Sequence, residues 1–304
     1  MKGKIIETRG YHSLIRTEEF GDISCTLQGK LRQEDITSTN PVAVGDWVEV
    51  IFDAETKTGS VISVMERRNY VVRQSAKLSK SIHIIAANVD CSYLIVNVTK
   101  PVTLLSFIDR FLVANEAYML PTTIIINKKD IFTPKEADDA LLLRDIYMKA
   151  GYEVLILSAK TLDGVDELRL RLQNKTTLFS GNSGVGKSAL LNALCPSFNL
   201  KEGTLSDSYQ LGKHTTTFSK MLFLDNKTEI IDTPGVKAFG IVKVQKQELA
   251  MYFPEFKSRL NECKFYNCTH THEPQCSVIA ALESGEISKE RYNSYLKIME
   301  DYQE

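Results

Sequence analysis

The sequence predicts a multidomain chain in three parts: an all-β barrel over residues 1–68, a three-layer α/β domain over 69–240 and a mostly helical piece over 241–304. Three observations predict it. Short alternating or β-branched runs crowd the first part. Apolar strand-like runs alternate with helical spacing in the second. A Cys/His cluster sits among short helical patterns in the third.

In the first part, residues 4–7, 11–16, 23–27, 46–51 and 59–65 read as strands, punctuated by Gly10, Gly21, Gly29, Asn40-Pro41 and Thr58-Gly59. Five short strands in this length suit a small closed barrel. An OB-fold is the commonest candidate and an SH3-like barrel the alternative. In the second part, residues 91–98 and 122–126 are apolar runs suited to buried parallel strands. Residues 154–157, 176–179, 217–224 and 229–231 complete the strands. Residues 106–118 carry Phe107, Ile108, Phe111, Leu112 and Ala114 at helical spacing, and 134–150 and 187–194 also read as helices. In the third part, 246–252, 277–282 and 288–302 read as helices. So short a piece has little core of its own and needs a staple.

Bulk properties exclude some classes. Hydrophobic content of 43% and charged content of 25% fit a soluble globular protein, and a net charge of −1 gives no global basic field. No apolar run approaches the ~20 residues that span a bilayer, and no apolar stretch of a leader peptide follows Met1. A cytoplasmic protein with no membrane partner is expected. The segment 67–80 holds Arg67, Arg68, Arg73, Lys77 and Lys80 with Tyr70 and no acid. Phosphate contact plus base stacking is its functional reading, and a solvated linker is the alternative.

Three motifs carry chemistry. Gly181-Asn182-Ser183-Gly184-Val185-Gly186-Lys187-Ser188 follows a strand and opens a helix that continues through Ala189. That setting makes it a phosphate-binding loop: backbone N–H groups and the helix N-terminus face phosphate oxygens. Lys187 would reach the β- and γ-phosphates and Ser188 would ligate Mg²⁺. Asp232-Thr233-Pro234-Gly235 ends a later strand, which suits Asp232 for Mg²⁺ and the Gly235 N–H for the γ-phosphate. Asn127-Lys128-Lys129-Asp130 ends an earlier strand. Guanine offers N1–H and N2–H₂ donors that the Asp130 carboxylate accepts together, whereas adenine presents a bare acceptor there. Asn127 would tie this loop to the phosphate loop, and Lys128 would lie along the base plane. Ser158-Ala159-Lys160 matches an accessory guanine loop, with the Ala159 N–H meeting the base oxygen.

The order is reader, phosphate loop, sensor, whereas most GTPases place the reader last. The α/β part therefore reads as a circularly permuted P-loop GTPase fold binding GTP or GDP with Mg²⁺. Between phosphate loop and sensor runs Gly212-Lys213-His214-Thr215-Thr216-Thr217. A threonine here would cap Mg²⁺ and the γ-phosphate; Thr216 is chosen, with Thr215 and Thr217 as alternatives. The residue after Gly235 is Val236, whose apolar side chain cannot orient an attacking water, so intrinsic hydrolysis should be slow. His214 is the catalytic candidate in the loop, and a solvated loop histidine is the alternative. Cys263, Cys268, His270 and Cys276 form a closed set suited to one structural Zn²⁺, with His272 a competing ligand.

With these residues in hand, the chain resembles the RsgA (YjeQ/YloQ) family, whose members are bacterial GTPases dependent on the small ribosomal subunit. The resemblance runs nearly the whole length. It rests on the Asn127-to-Asp130, Gly181-to-Ser188, His214-to-Thr217 and Asp232-to-Gly235 motifs, the Cys/His spacing, and the Ala87-Asn88-Val89-Asp90 and Asp109-Arg110-Phe111 segments. It implies an N-terminal OB-fold RNA-binding domain, the permuted GTPase domain and a C-terminal zinc-binding domain. It implies late small-subunit maturation, contact with rRNA, release of assembly factors, and GTP hydrolysis stimulated by the subunit, with His214 as the catalytic histidine; separately, a monomer is expected. One departure is Gln275, where the family usually has glycine before the last cysteine.

Overall fold

The structure, a computed structural model, describes residues 1–10, 12–27, 40–74, 82–200, 219–233 and 244–301. The first five strands are β1 (Lys2–Arg9), β2 (His12–Thr17), β3 (Gly21–Leu27), β4 (Trp47–Asp53) and β5 (Thr58–Val64). They run in the order β1-β2-β3-β5-β4, and β4 closes back onto β1. This is the connectivity of an OB-fold, so the SH3-like alternative drops out. Period-two patterning builds the barrel: Ile5, Ile15, Ile23, Cys25, Val48, Val50 and Val61 point inward and form one core.

A hairpin of β6 (Tyr70–Gln74) and β7 (Ile82–Ala87) follows. The described part of the basic segment, to Gln74, is thus strand rather than linker from Tyr70 on. Arg67 is also not available for phosphate, because its guanidinium is buried against the Asp46 carboxylate at 2.7 Å. Arg68 pairs with Asp90 at 2.6 Å. Lys77 and Lys80 lie outside the described residues.

The central sheet contains β8 (Cys91–Val96), β9 (Thr122–Ile126), β10 (Glu153–Ile156), β11 (Thr176–Gly181), β12 (Lys220–Phe223) and β13 (Glu229–Asp232), ordered β10-β9-β8-β11-β13-β12. All neighbours are parallel except β12–β13. Alternation along β8 and β9 sends Leu94, Val96, Ile124 and Ile126 to one face, against α1 (Leu105–Ala117) and α2 (Pro134–Lys149). Tyr93, Ile95 and Ile125 go to the other face, against α3 (Val165–Leu172) and α4 (Lys187–Leu194). Both faces are covered, which is why these strands read as continuous apolar runs. Thr133 and Glu136 form a capping box that starts α2.

Two seams join the outer parts to this sheet. On the N-terminal side, β1 pairs with the edge strand β12 at Glu7 and Lys220, which makes barrel and central sheet one continuous structure. Lys4 crosses the seam to the Glu229 carboxylate and, at 3.2 Å, to the Thr176 hydroxyl. On the C-terminal side, α5 (Ser277–Glu283) and α6 (Lys289–Asp301) pack with Phe253, Phe256 and Leu249 against Val113 of α1. Arg291 of α6 is buried there, 2.6 Å from Asp109 of α1 and 2.7 Å from Glu255. Tyr147 donates to the same Asp109 oxygen at 2.8 Å. Removing Arg291 would leave two buried carboxylates uncompensated, at a cost of about 3–5 kcal/mol. The C-terminal part is thus fixed to α1 by a buried ion cluster.

Candidate functional site

The carboxyl ends of β8, β9 and β11 lie side by side, and the loops that leave them converge, as open α/β sheets dictate. Asn127, at the end of β9, is buried. Its Oδ1 accepts the Ala159 N–H at 3.1 Å, and its Nδ2 donates to the Val185 carbonyl at 3.0 Å. One amide therefore joins the reader, the accessory loop and the phosphate loop. Asp130 is exposed, and one of its oxygens accepts the Ser158 hydroxyl at 2.6 Å. Ser158 is fixed in turn by the Thr161 N–H at 3.1 Å. Lys128 sits at φ 69°, and its ammonium donates to Gly184 O at 2.8 Å and Lys100 O at 3.2 Å. Partial burial holds its pKa below the ordinary lysine value. Lys129 turns away to Asp163, and Lys160 is exposed.

Residues 97–103, between β8 and α1, form a further wall that sequence reasoning missed. Thr103 closes the loop: its hydroxyl accepts the Asn97 N–H at 3.0 Å and its own N–H donates to Asn97 O at 2.9 Å. Lys100 supplies the carbonyl that holds Lys128. The available signal was positional, since the loop leaves a parallel strand at the same end as the reader and the phosphate loop.

The phosphate loop leaves β11. A Cβ on Gly181 would lie 2.5 Å from Ile95 O, and one on Gly186, at φ 92°, would collide with the Asn127 amide. Neighbouring strands thus require glycine at both ends of the loop. Asn182 and Ser188 are half-buried, Ser183 and Gly184 are exposed and Val185 is buried. Ala189 follows in the first turn of α4, whose N-terminus no side chain caps. An uncapped helix start with glycines before it fits a phosphate group. Lys187 is buried, and its ammonium bonds the Asp232 carboxylate and Thr233 O. Thr233 is anchored to Phe179 O at 2.9 Å. Asp232, predicted to face Mg²⁺, is here the partner of Lys187. His214, Thr215, Thr216, Thr217, Pro234, Gly235 and Val236 lie outside the described residues.

A family model described as RsgA GTPase matches residues 64–242. A small ribosomal subunit biogenesis GTPase RsgA of Flavobacterium johnsoniae is 45% identical over all of this chain and 94% of its own length. The chain belongs to the RsgA family of GTPases. A second RsgA relative, from Bacteroides thetaiotaomicron, is 44% identical over 100% of this chain and 98% of its own. The crystal structure of YjeQ from Thermotoga maritima aligns at a TM-score of 0.78 and 34% identity, covering 99% of this chain and 97% of that one. YloQ, described as a circularly permuted GTPase, aligns at 0.73 and 29% identity, covering 99% and 94%. The three-part, permuted architecture is thus that of the RsgA family.

The second cluster lies in the C-terminal part of this RsgA-family chain. The ligand atoms of Cys263, Cys268, His270 and Cys276 all fall within 4.8 Å of one another. Cys263 Sγ is 3.6 Å from His270 Nδ1 and 4.0 Å from Cys276 Sγ, and His270 Nδ1 is 3.4 Å from Cys276 Sγ. A tetrahedral zinc with Zn–S near 2.3 Å needs sulfur–sulfur edges of about 3.8 Å, so the residues fit that ion. His272 is outside the group: it is exposed and bonded to the Thr271 hydroxyl. Burial lowers the His270 pKa, keeping the imidazole in its neutral, ligating form. Burial raises Cys268 to about 12, whereas at Cys263 burial is outweighed by hydrogen bonds from Ser277, Cys276 and Cys268 together, which bring it down. Tyr292 and Tyr295 of α6 donate to His270 O and Thr269 O, each at 2.8 Å, and so hold the loop. Gln275 adopts φ 60°, the left-handed conformation that glycine takes without strain. That is the physical sense of the family's glycine there, and the ligand cluster forms regardless.

Proposed function

We propose that this GTPase binds the small ribosomal subunit through its rRNA in the cytoplasm, as a monomer. It acts in late maturation of the subunit and hydrolyses GTP to GDP and phosphate, with stimulation by the subunit. Hydrolysis would release the protein itself or an assembly factor. Nucleotide can drive release only through different affinities of the GTP and GDP states for the subunit. The observation that carries the proposal is the joining of reader, accessory loop and phosphate loop by the Asn127 amide. That site occurs in a chain whose full-length relatives carry the name small ribosomal subunit biogenesis GTPase.

In this reading Asp130 accepts the two guanine N–H groups, the Ala159 N–H meets the base oxygen, and Lys128 lies along the ring. The backbone of residues 181–189 cradles the phosphates, Lys187 neutralises the β- and γ-phosphates, and Gly235 meets the γ-phosphate. Ser188, Thr216 and Asp232 would hold Mg²⁺, which supplies charge neutralisation at the phosphate oxygens. His214 would orient the attacking water. Cys263, Cys268, His270 and Cys276 would hold one structural zinc. The barrel to residue 68 and the zinc part from 241 would supply RNA contacts on either side of the GTPase domain.

The test is GTP turnover with and without purified small subunits, beside Lys187→Ala as a control. Strong stimulation of the wild type alone is expected. No stimulation would sink the ribosome-dependent reading. A full rate in Lys187→Ala would refute the phosphate-loop assignment. His214→Ala should cut the stimulated rate more than nucleotide affinity.

A further inference from the structure

Asn97 directly follows β8, is fully buried, and lies between the two halves of the site. Only one orientation of its amide avoids setting donor against donor. In that orientation Oδ1 accepts from the Lys128 ammonium at 3.2 Å, and Nδ2 donates to Val96 O at 2.8 Å and Val185 O at 3.3 Å. The opposite orientation would aim the NH₂ group at the ammonium and the oxygen at two carbonyls.

Two satisfied groups follow. The Lys128 ammonium has three N–H donors, and three acceptors face it: Gly184 O, Lys100 O and Asn97 Oδ1. The Val185 carbonyl has two lone pairs and receives two amides, from Asn127 and Asn97. Val185 is itself buried in the phosphate loop, so this carbonyl has no water to fall back on. Asn97 is held in register by the Thr103 hydroxyl on its own N–H.

We propose that Asn97 is a positioning residue of the nucleotide site, acting through Lys128 on the base side and through Val185 on the phosphate side. It touches neither base nor phosphate. It fixes the angle of Lys128 along the guanine ring and locks the phosphate loop to the reader alongside Asn127. Because it acts on features shared by GTP and GDP, it sets affinity for both and leaves their ratio alone. This rests on the guanine-nucleotide reading above.

The experiment is titration of GDP and GTP into wild type, Asn97→Ala, Lys128→Ala and the double variant, with melting of each nucleotide-free protein. Losing a hydrogen bond to a charged group and a buried carbonyl partner should weaken both nucleotides by about tenfold in Asn97→Ala. The losses in Asn97→Ala and Lys128→Ala should be less than additive in the double variant, because both act through one ammonium. A purely structural role would instead give additive losses that track the melting temperature. The isosteric Asn97→Asp fills the same space and keeps the Lys128 acceptor, but it sets an oxygen against Val185 O. It should also bind more weakly than wild type. Wild-type affinity in Asn97→Ala or Asn97→Asp, or strict additivity with Lys128→Ala, would overturn the proposal. Failure of the wild type to bind GDP would instead refute the guanine-nucleotide reading itself.

Discussion

The base half and the phosphate half of the site differ in readiness. In the base half Asp130 keeps one carboxylate oxygen without a side-chain partner, while the Ala159 N–H is taken by Asn127 Oδ1. Ser158 takes one Asp130 oxygen, and Asn127 spans Ala159 and Val185. In the phosphate half the principal cation is self-paired: Lys187 is bound to Asp232 and Thr233 O. In the proposed reading the base needs only the Ala159 N–H to turn from Asn127, whereas the phosphates must draw Lys187 away and free Asp232. A preformed base seat reduces the ordering cost of binding. A closed ion pair in the phosphate seat makes occupancy there a competition between phosphate and carboxylate for one ammonium.

The largest expected effect breaks the base half. Asp130→Asn replaces an acceptor by a donor facing the guanine amine, so it should reject guanine and accept xanthine, whose C2 carries an oxygen. The swing in preference between GDP and XDP should be about 10⁴-fold, read by competition binding. An unchanged preference would mean that Asp130 does not face the base.

Breaking the phosphate half comes next. Lys187→Ala removes the ammonium and should weaken GTP by about 100-fold or more in equilibrium titration. It also strands Asp232, so the nucleotide-free variant should melt below wild type. A variant as stable as wild type would show that the Lys187–Asp232 pair adds nothing without ligand. Ser158→Ala should have the smallest effect. It frees one Asp130 oxygen from its orienting hydroxyl and should cost about tenfold in GDP affinity. A loss as large as that in Asp130→Asn would mean that Ser158 contacts the base directly.

The convergence of the proposed base half was legible because its residues lie in contiguous motifs. Asn127, Asp130, Ser158 and Ala159 lie at the ends of apolar strands, and each strand appears where the apolar runs place it. The loop at 97–103 was not legible, because Lys100 acts through its carbonyl, Asn97 through a buried amide and Thr103 through a hydroxyl that closes the loop. Such roles depend on which strands become neighbours, and local spacing does not encode that. The charge of Arg67 misled for the same reason: its partner Asp46 is 21 residues away, at the adjoining end of the paired strands β4 and β5. Arg291 and Asp109, 182 residues apart, show the same limit at the C-terminal seam. The Cys/His cluster was fully legible because its four ligands fall within one short loop.

The proposed guanine seat is tested most directly by melting the nucleotide-free wild-type protein with GDP or with ADP, each at the same concentration with Mg²⁺. GDP at 100 times its dissociation constant should stabilise the protein by about 2.7 kcal/mol and raise the melting temperature accordingly. ADP at that concentration should leave it unmoved. Equal shifts from the two nucleotides would contradict the account, because a seat built around Asp130 cannot accept adenine and guanine alike.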